Sequence, residues 1–294
     1  MGSYSIKDIE KLSGIKAHTI RIWEQRYQLI EPKRTETNIR YYDDEQLKFV
    51  LNVALLLKNG YKISKVSSLK SIEFNKEVEK VYEQSLLHNT SVTLDLDSND
   101  LMVSMIDMDA DKFHRIYENS VKHNGFEKTV TGLIYPFLEK VGVLWSLDQI
   151  NPAHEHFISS LIRQKVISGI DRIEEPKGGK RFLLFLPSGE HHEIGLLMAH
   201  YVLKKNGAKV YYLGQNLPEQ DVKGAIETIK PDVVLSFFVD PAVISNGKTL
   251  VEHLEEWSQK SQILIACRQA PEIKALNSSR IRFLHAMDDL YGYI

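Results

Sequence analysis

Residues 181–206 read Arg181-Phe182-Leu183-Leu184-Phe185-Leu186, then Pro187-Ser188-Gly189-Glu190-His191-His192-Glu193-Ile194-Gly195, then an apolar-periodic run to Lys205-Asn206. The first six form the continuous apolar run expected of a strand buried on both faces of a parallel sheet. Ile194, Leu197, Met198, Tyr201 and Val202 recur at helical spacing, which predicts an amphipathic helix closing near Asn206-Gly207. In an open α/β sheet, the loop at the carboxyl end of a strand is where ligands bind. His192 on that loop is a candidate metal ligand, and Glu190 a candidate partner for the ring's second nitrogen. A histidine pair in a polar loop is ordinarily just solvated, so this reading needs support from the rest of the chain.

Outward from that stretch the pattern repeats. Strands are predicted at 209–213, 233–237, 262–266 and 281–283. Helices are predicted near 193–206, 218–229, about 243–258, 271–276 and 286–291. Strands alternating with helices specify a parallel sheet covered on both faces. Upstream, Glu174 to Lys180 is a turn-rich linker. Before it, helical periodicity over 101–108, 110–123, 126–143 and 152–173 predicts a small four-helix bundle.

The 294 residues suffice for two or three domains, and 43% hydrophobic with 26% charged residues describe an ordinary globular chain. One cysteine, Cys267, excludes an intramolecular disulfide and fits a reducing cytoplasm. No apolar run approaches the ~20 residues of a membrane span, and no signal-peptide pattern is present. The net charge of -2 hides an asymmetry. Residues 1–70 carry 13 Lys/Arg against 8 Asp/Glu, whereas the remainder carries 24 against 31. A basic module on an acidic body points to a polyanionic partner for the first module alone.

That module begins with a capped helix from Ser5 to about Ser13-Gly14, followed by a second helix over 15–27 with Ile20 and Trp23 as its buried side. This is helix-turn-helix spacing, in which the second helix enters the major groove. Lys16, His18, Thr19, Arg21, Gln25 and Arg26 lie on its outward side. Pro32 to Tyr42 reads as a β-ribbon whose basic residues would meet phosphates. A helix from Asp43-Asp44 to Leu57 follows, then a shorter one from Ile63-Ser64. From Ser67 to Ser98 the pattern loosens into a linker with an irregular hinge, and no sustained heptad pattern demands a long coiled coil there.

Trp23-Glu24-Gln25-Arg26-Tyr27, Pro32-x-Arg34 and Arg40-Tyr41-Tyr42 together resemble the winged-helix domain of MerR-family transcription regulators. The resemblance covers roughly the first quarter of the chain. It implies binding to double-stranded operator DNA, with Lys16, His18, Thr19 and Arg21 toward bases or the sugar-phosphate edge, and Arg26, Arg34, Arg40 and Tyr41 on phosphates. Glu190-x-His192-x-x-Gly195 resembles the acidic-x-His-x-x-Gly signature of cobalamin-binding domains. There the His replaces the cofactor's own base beneath cobalt, a role that falls on His192. Trp145, Glu155 and His156 are similar in identity and spacing to residues of the CarH/LitR-type photoreceptor regulators, which implies that they cover an adenosyl group above the metal.

Two departures stand against the pattern. The light-sensing members have a His after the Trp, where this chain has Ser146, a poor cobalt ligand beside imidazole. The family also lines the slot for the nucleotide tail with a Ser, matched in position by Ser236, and a Gly-Gly pair. In place of that pair stand Ala266 and Cys267, followed by Arg268-Gln269.

The expected architecture is multidomain, α and α/β. It has a winged helix-turn-helix over 1–75, a linker over 76–99, a helical bundle capping the cofactor over 100–175, and a flavodoxin-like, Rossmann-like sheet over 180–294. The expected function is a cytoplasmic, non-enzymatic regulator, a repressor by the resemblance, that forms a dimer or tetramer. Its sensor would take cobalamin, adenosylcobalamin first, with Trp145, Glu155, His156, Glu190, His192, Gly195 and Ser236 at the cofactor and His192 on the metal. Two alternatives stay open. In one, the C-terminal domain takes no cofactor or another ligand. In the other, the chain is a corrinoid-carrying methyltransferase subunit, which leaves the Arg-rich wing unexplained.

Overall fold

Side-chain caps set where the first helices begin. Ser5 accepts from the backbone N–H of Asp8, whose carboxylate accepts from the N–H of Ser5 at 2.7 Å. This reciprocal cap starts α1 (Ile6–Ser13). Gly14 ends it at φ 72°, a left-handed conformation that costs glycine nothing. Asp43 caps α3 (Asp44–Lys58) in the same reciprocal way with Gln46. The computed structural model describes residues 3–35, 37–85, 92–146, 151–267 and 278–294, which fall into two compact units, 1–161 and 162–294.

In the first unit, α2 (Ala17–Ile22) runs into a wide π-helical turn at Trp23–Tyr27, and Gln28 reverses the chain at φ 48°. The hairpin β1 (Lys33–Arg34) and β2 (Arg40–Tyr41) pairs antiparallel, with Arg34 opposite Arg40. Ile9, Leu12, Ile20, Trp23, Tyr4, Tyr42 and Leu47 are all buried, as the apolar periodicity predicted. α4 (Ile63–Val66) is short. The stretch read as loose linker is mostly helical, in α5 (Ser71–Ser85) and α6 (Val92–Asp107). The reason is tertiary: Phe74, Val78 and Val81 are buried, and Phe74 lies 5.0 Å from the Phe49 ring of α3. Lys48 of α3 also meets Asp107 of α6 at 2.6 Å.

The bundle continues with α7 (Ala110–Thr129), interrupted at Gly125, where φ 79° and ψ 164° break the helix just before the predicted Phe126 start. A π-helical turn at Val130–Ile134 leads to α8 (Tyr135–Ser146). α9 (Pro152–Asp171) begins beside Asn151, whose side chain accepts from Ala153 N–H at 2.9 Å.

In the second unit, five parallel strands form one sheet in the order β4-β3-β5-β6-β7. They are β3 (Arg181–Pro187), β4 (Lys209–Leu217), β5 (Val233–Phe238), β6 (Gln262–Cys267) and β7 (Ile281–Leu284). Helices α10 (Glu193–Lys205), α11 (Glu219–Ile229) and α12 (Pro241–Trp257) connect them, with a 3₁₀ turn at Met287–Gly292. The helix expected at 271–276 lies outside the described residues.

Strand alternation divides the core. Leu183, Phe185, Val234, Phe238, Ile263 and Ile265 pack on one face with α11 and α12. Phe182, Leu184, Leu186, Val233, Leu235 and Leu264 pack on the other with α10. The chain leaves β3 for β4 on one side and returns to β5 on the other, so the topological switch point lies between β3 and β5. Leu235 of the central strand is fully buried. Leu235→Ala is expected to cost about 2–5 kcal/mol by the cavity it leaves, read as a lower urea midpoint for the transition of the second unit.

Candidate functional site

The first candidate surface is the outward side of α2 and the hairpin. Lys16, His18, Arg21, Arg26, Arg34 and Arg40 are exposed there, while Thr19 and Tyr41 are half-buried. Several of these cations are braced. Lys16 meets Glu10 at 3.1 Å, and Arg34 Nη1 donates to the Asn38 side chain at 2.8 Å across a turn where Asn38 has φ 64°. Arg40 Nε lies 3.5 Å from the largely buried Glu24, which also accepts from Tyr42 OH. Burial, then that bond to Glu24, raises the Tyr42 phenol well above its usual range.

Arg40 therefore fastens the wing to the end of the α2 turn as well as presenting charge. Backbone bonds between Tyr4 and Tyr42, 2.8 Å each way, close the same assembly. Lys33, paired with Asp43 at 2.7 Å, is a further wing cation that the sequence reading left out.

The second candidate surface is the switch point. The Glu190 carboxylate is fully buried between the loops that follow β3 and β5. Its Oε2 accepts from the backbone N–H groups of Val239 (2.7 Å) and Asp240 (2.8 Å). Its Oε1 accepts from the N–H of His192 at 3.1 Å and from the ring Nδ1–H at 2.5 Å. Burial alone would raise the Glu190 pKa. The bonds from the His192 ring, Asp240, Val239 and the His192 backbone outweigh it and pull the carboxyl down to about 2.

The His192 side chain is 53% exposed, and with Nδ1 committed to Glu190, Nε2 is the ring atom positioned to ligate. Among the described residues no group of three or more His, Cys, Asp or Glu gathers to hold a metal ion. A lone imidazole retains a free ion poorly, and suits a metal that arrives already held in a macrocycle. The donor chemistry at this point thus fits a corrinoid cobalt.

Beneath the loop, the two halves of the expected tail slot behave differently. Ser236 is fully buried and its Oγ has no hydrogen-bond partner. By strand alternation it shares a face with Val234 and Phe238, toward α11 and α12. The structure therefore does not bring Ser236 together with Gly195 of α10; Phe237 faces that helix instead. A Cβ built on Gly195 would stand 3.0 Å and 3.1 Å from Phe237 ring atoms. Ala266 pairs with Phe237 across the strands and packs on the same face, while Cys267 is buried on the other. Arg268 and Gln269 lie outside the described residues.

A neighbouring network was not legible in the sequence. Glu193, next to His192 and buried, accepts from Arg163 Nε at 2.5 Å and from Tyr212 OH at 2.7 Å. Of the expected upper-face residues, Glu155 and His156 sit in the first turn of α9. Glu155 accepts from Ser159 Oγ at 2.5 Å and lies 3.0 Å from His156 Nδ1. Trp145 is in the last turn of α8, and its side chain, like that of Ser146, lies outside the described residues.

Comparison with known proteins bears on both surfaces. Residues 4–71 match the MerR HTH family regulatory protein profile, and residues 98–167 match the B12 binding domain. The HTH-type transcriptional repressor CarA of Myxococcus xanthus is 30% identical over 239 residues, covering 80% of this chain and 76% of CarA. The chain belongs to the MerR family of transcription regulators. It is a DNA-binding, corrinoid-sensing regulator rather than an enzyme.

The repressor CarH of the same organism is 24% identical over 232 residues, covering 79% of this chain and 77% of CarH. The monomethylamine corrinoid protein of Methanosarcina barkeri shares the fold, with TM-score 0.55 at 12% identity over 64% of this chain and 92% of that one. Among the described residues no helix is long and apolar enough to cross a membrane.

The depressed Glu190 carboxyl makes a pH prediction. A group whose folded pKa lies below its unfolded value, here about 2 against the ordinary 4.5, stabilises fully above the unfolded value and loses that contribution as pH falls toward the folded one. Stability of the second unit should therefore decline from about pH 4.5 toward pH 2. The part of that decline due to this group should vanish in Glu190→Gln when urea midpoints are compared at pH 5 and pH 3.

Proposed function

We propose that this regulator is a cytoplasmic repressor that binds operator DNA through its first module and takes adenosylcobalamin on its sensor. In this reading His192 is the lower cobalt ligand, oriented by Glu190, and Trp145, Glu155 and His156 cover the upper face. Arg21, Lys16, His18 and Thr19 meet the major groove. Arg26, Arg34, Arg40 and Tyr41 hold phosphates, which fix register without reading sequence. The single observation that carries the sensor half is the buried Glu190 carboxylate gripping the exposed His192 ring at the switch point.

When bound, the corrinoid supplies a cobalt centre whose upper ligand can be present or lost. This chain's part is to hold the imidazole in one tautomer, because the ionised Glu190 demands a donor at Nδ1. Ligand binding then biases a dimer–tetramer equilibrium through its different affinity for the two assemblies. Ser146 stands where a second imidazole is required for a light-made adduct, so chemical cofactor state rather than light is the signal in this reading. The second reading, a domain without a corrinoid, draws on Phe237 against Gly195 and on Ala266 and Cys267 in place of two glycines.

Two measurements decide. Adenosylcobalamin added to the protein in the dark should show the spectrum of a displaced lower base after gel filtration. That change should be absent in His192→Ala and need about 10–100-fold more cofactor in Glu190→Gln. No retained spectrum in the parent protein favours the corrinoid-free reading. On the DNA side, Arg26→Ala should weaken binding to operator and random duplex alike and lower the slope of log K against log salt by about one unit. An unchanged slope removes Arg26 from the phosphate contacts.

A further inference from the structure

A corrinoid cobalt has one lower position. If His192 occupies it, the cofactor's own base leaves, and the nucleotide arm that carries the base must be housed elsewhere. The crevice at the switch point of a doubly wound sheet is where a ligand can descend. Its floor on the α10 side is made by Gly195, Phe237 and Ala266.

Gly195 leaves no side chain there, yet the vacated space is not open: Phe237 ring atoms stand 3.0 Å and 3.1 Å from where a Cβ would be. Phe237 is anchored in the buried cluster of Leu184, Leu186, Leu196 and Leu235, and its strand partner Ala266 packs on the same face. Gly195 is thus used here to admit an aromatic ring from the protein itself. The residue whose hydroxyl lacks a partner, Ser236, faces the other side of the sheet and offers the arm nothing on this one.

We propose that Phe237 sets the ligand class of this sensor: the ring plugs the crevice beneath the imidazole, so the site selects corrinoids that lack the nucleotide arm over complete cobalamins. The cobalt-facing side of the site is unaffected, because His192 and Glu190 belong to the loop above the plug. A sensor of this type would respond to precursors or breakdown products of cobalamin rather than to the finished cofactor. The inference rests on His192 being the lower ligand, as proposed above.

The test is a pair of spectral titrations of the full chain, one with diaquocobinamide and one with hydroxocobalamin, repeated in Phe237→Ala, Phe237→Leu and His192→Ala. The parent protein should bind cobinamide at least tenfold more tightly than cobalamin. Phe237→Ala should reverse or erase that preference by at least tenfold, chiefly by tightening cobalamin. Phe237→Leu, which keeps an apolar filler, should fall between and serves if the alanine variant does not fold. His192→Ala should lose the cobalt-ligand spectrum with both compounds.

Equal or tighter binding of cobalamin by the parent protein overturns the inference and leaves the role of His192 standing. Binding of neither compound overturns the inference together with the corrinoid reading of this site. A preference for cobinamide that neither Phe237 variant alters also overturns it, since selectivity would then come from another feature.

Discussion

One buried carboxylate holds the sensor together. Glu190 has no contact with solvent, and an ionised carboxylate in that position is tolerable only when its lone pairs are satisfied. Its four hydrogen bonds come from three residues on two loops, and the loops belong to strands on either side of the switch point. The same group therefore closes the crevice, fixes the loop after β5 and sets the tautomer of His192. The remaining features of this unit follow around it. α10 starts at Glu193 because the loop has already been stopped at His192. Glu193 then turns toward Arg163 and Tyr212 rather than toward the crevice.

Much of the fold was readable because its signals are local. Continuous apolar runs became β3, β5 and β6, and Ser5, Gly14, Asp43 and Asn59-Gly60 mark helix ends within a residue or so of their places. The wing was legible in its basic residues and β-formers. What escaped depends on partners far along the chain. The bonds from Val239 and Asp240 to Glu190 join residues 49 and 50 apart, and no spacing rule connects them. The stretch after Ser67 looked loose because its polarity is high, but Phe74, Val78 and Val81 repeat at helical intervals and are buried.

The site itself was half legible. Glu190 and His192 could be paired from their spacing, since a residue and its second neighbour on a tight loop can share a hydrogen bond. Ser236 was matched by position along the chain, and strand parity decides otherwise: one residue along a strand is the opposite face of the sheet. Phe237, adjacent in sequence, carries the side chain that meets Gly195. Arg40 shows a related limit. Its charge was evident, whereas its attachment to Glu24 arises only once the π-helical turn has swung Glu24 beneath the wing.

The border of the sheet has a consequence for how copies of this chain can meet. β4 is an edge strand, and its pairing with β3 slips twice, after Leu184 and after Phe185. Gly214 at φ 83° and Asn216 at φ 59° bend it out of regular pleat. β7, at the other margin, is four residues long. Irregular or very short margins are poor templates for strand addition. A second copy would find no straight ladder to extend on either side, so self-association by sheet merging, and the runaway polymer it invites, is disfavoured. Contacts between copies are left to helical and loop surfaces, whose geometry can close on itself.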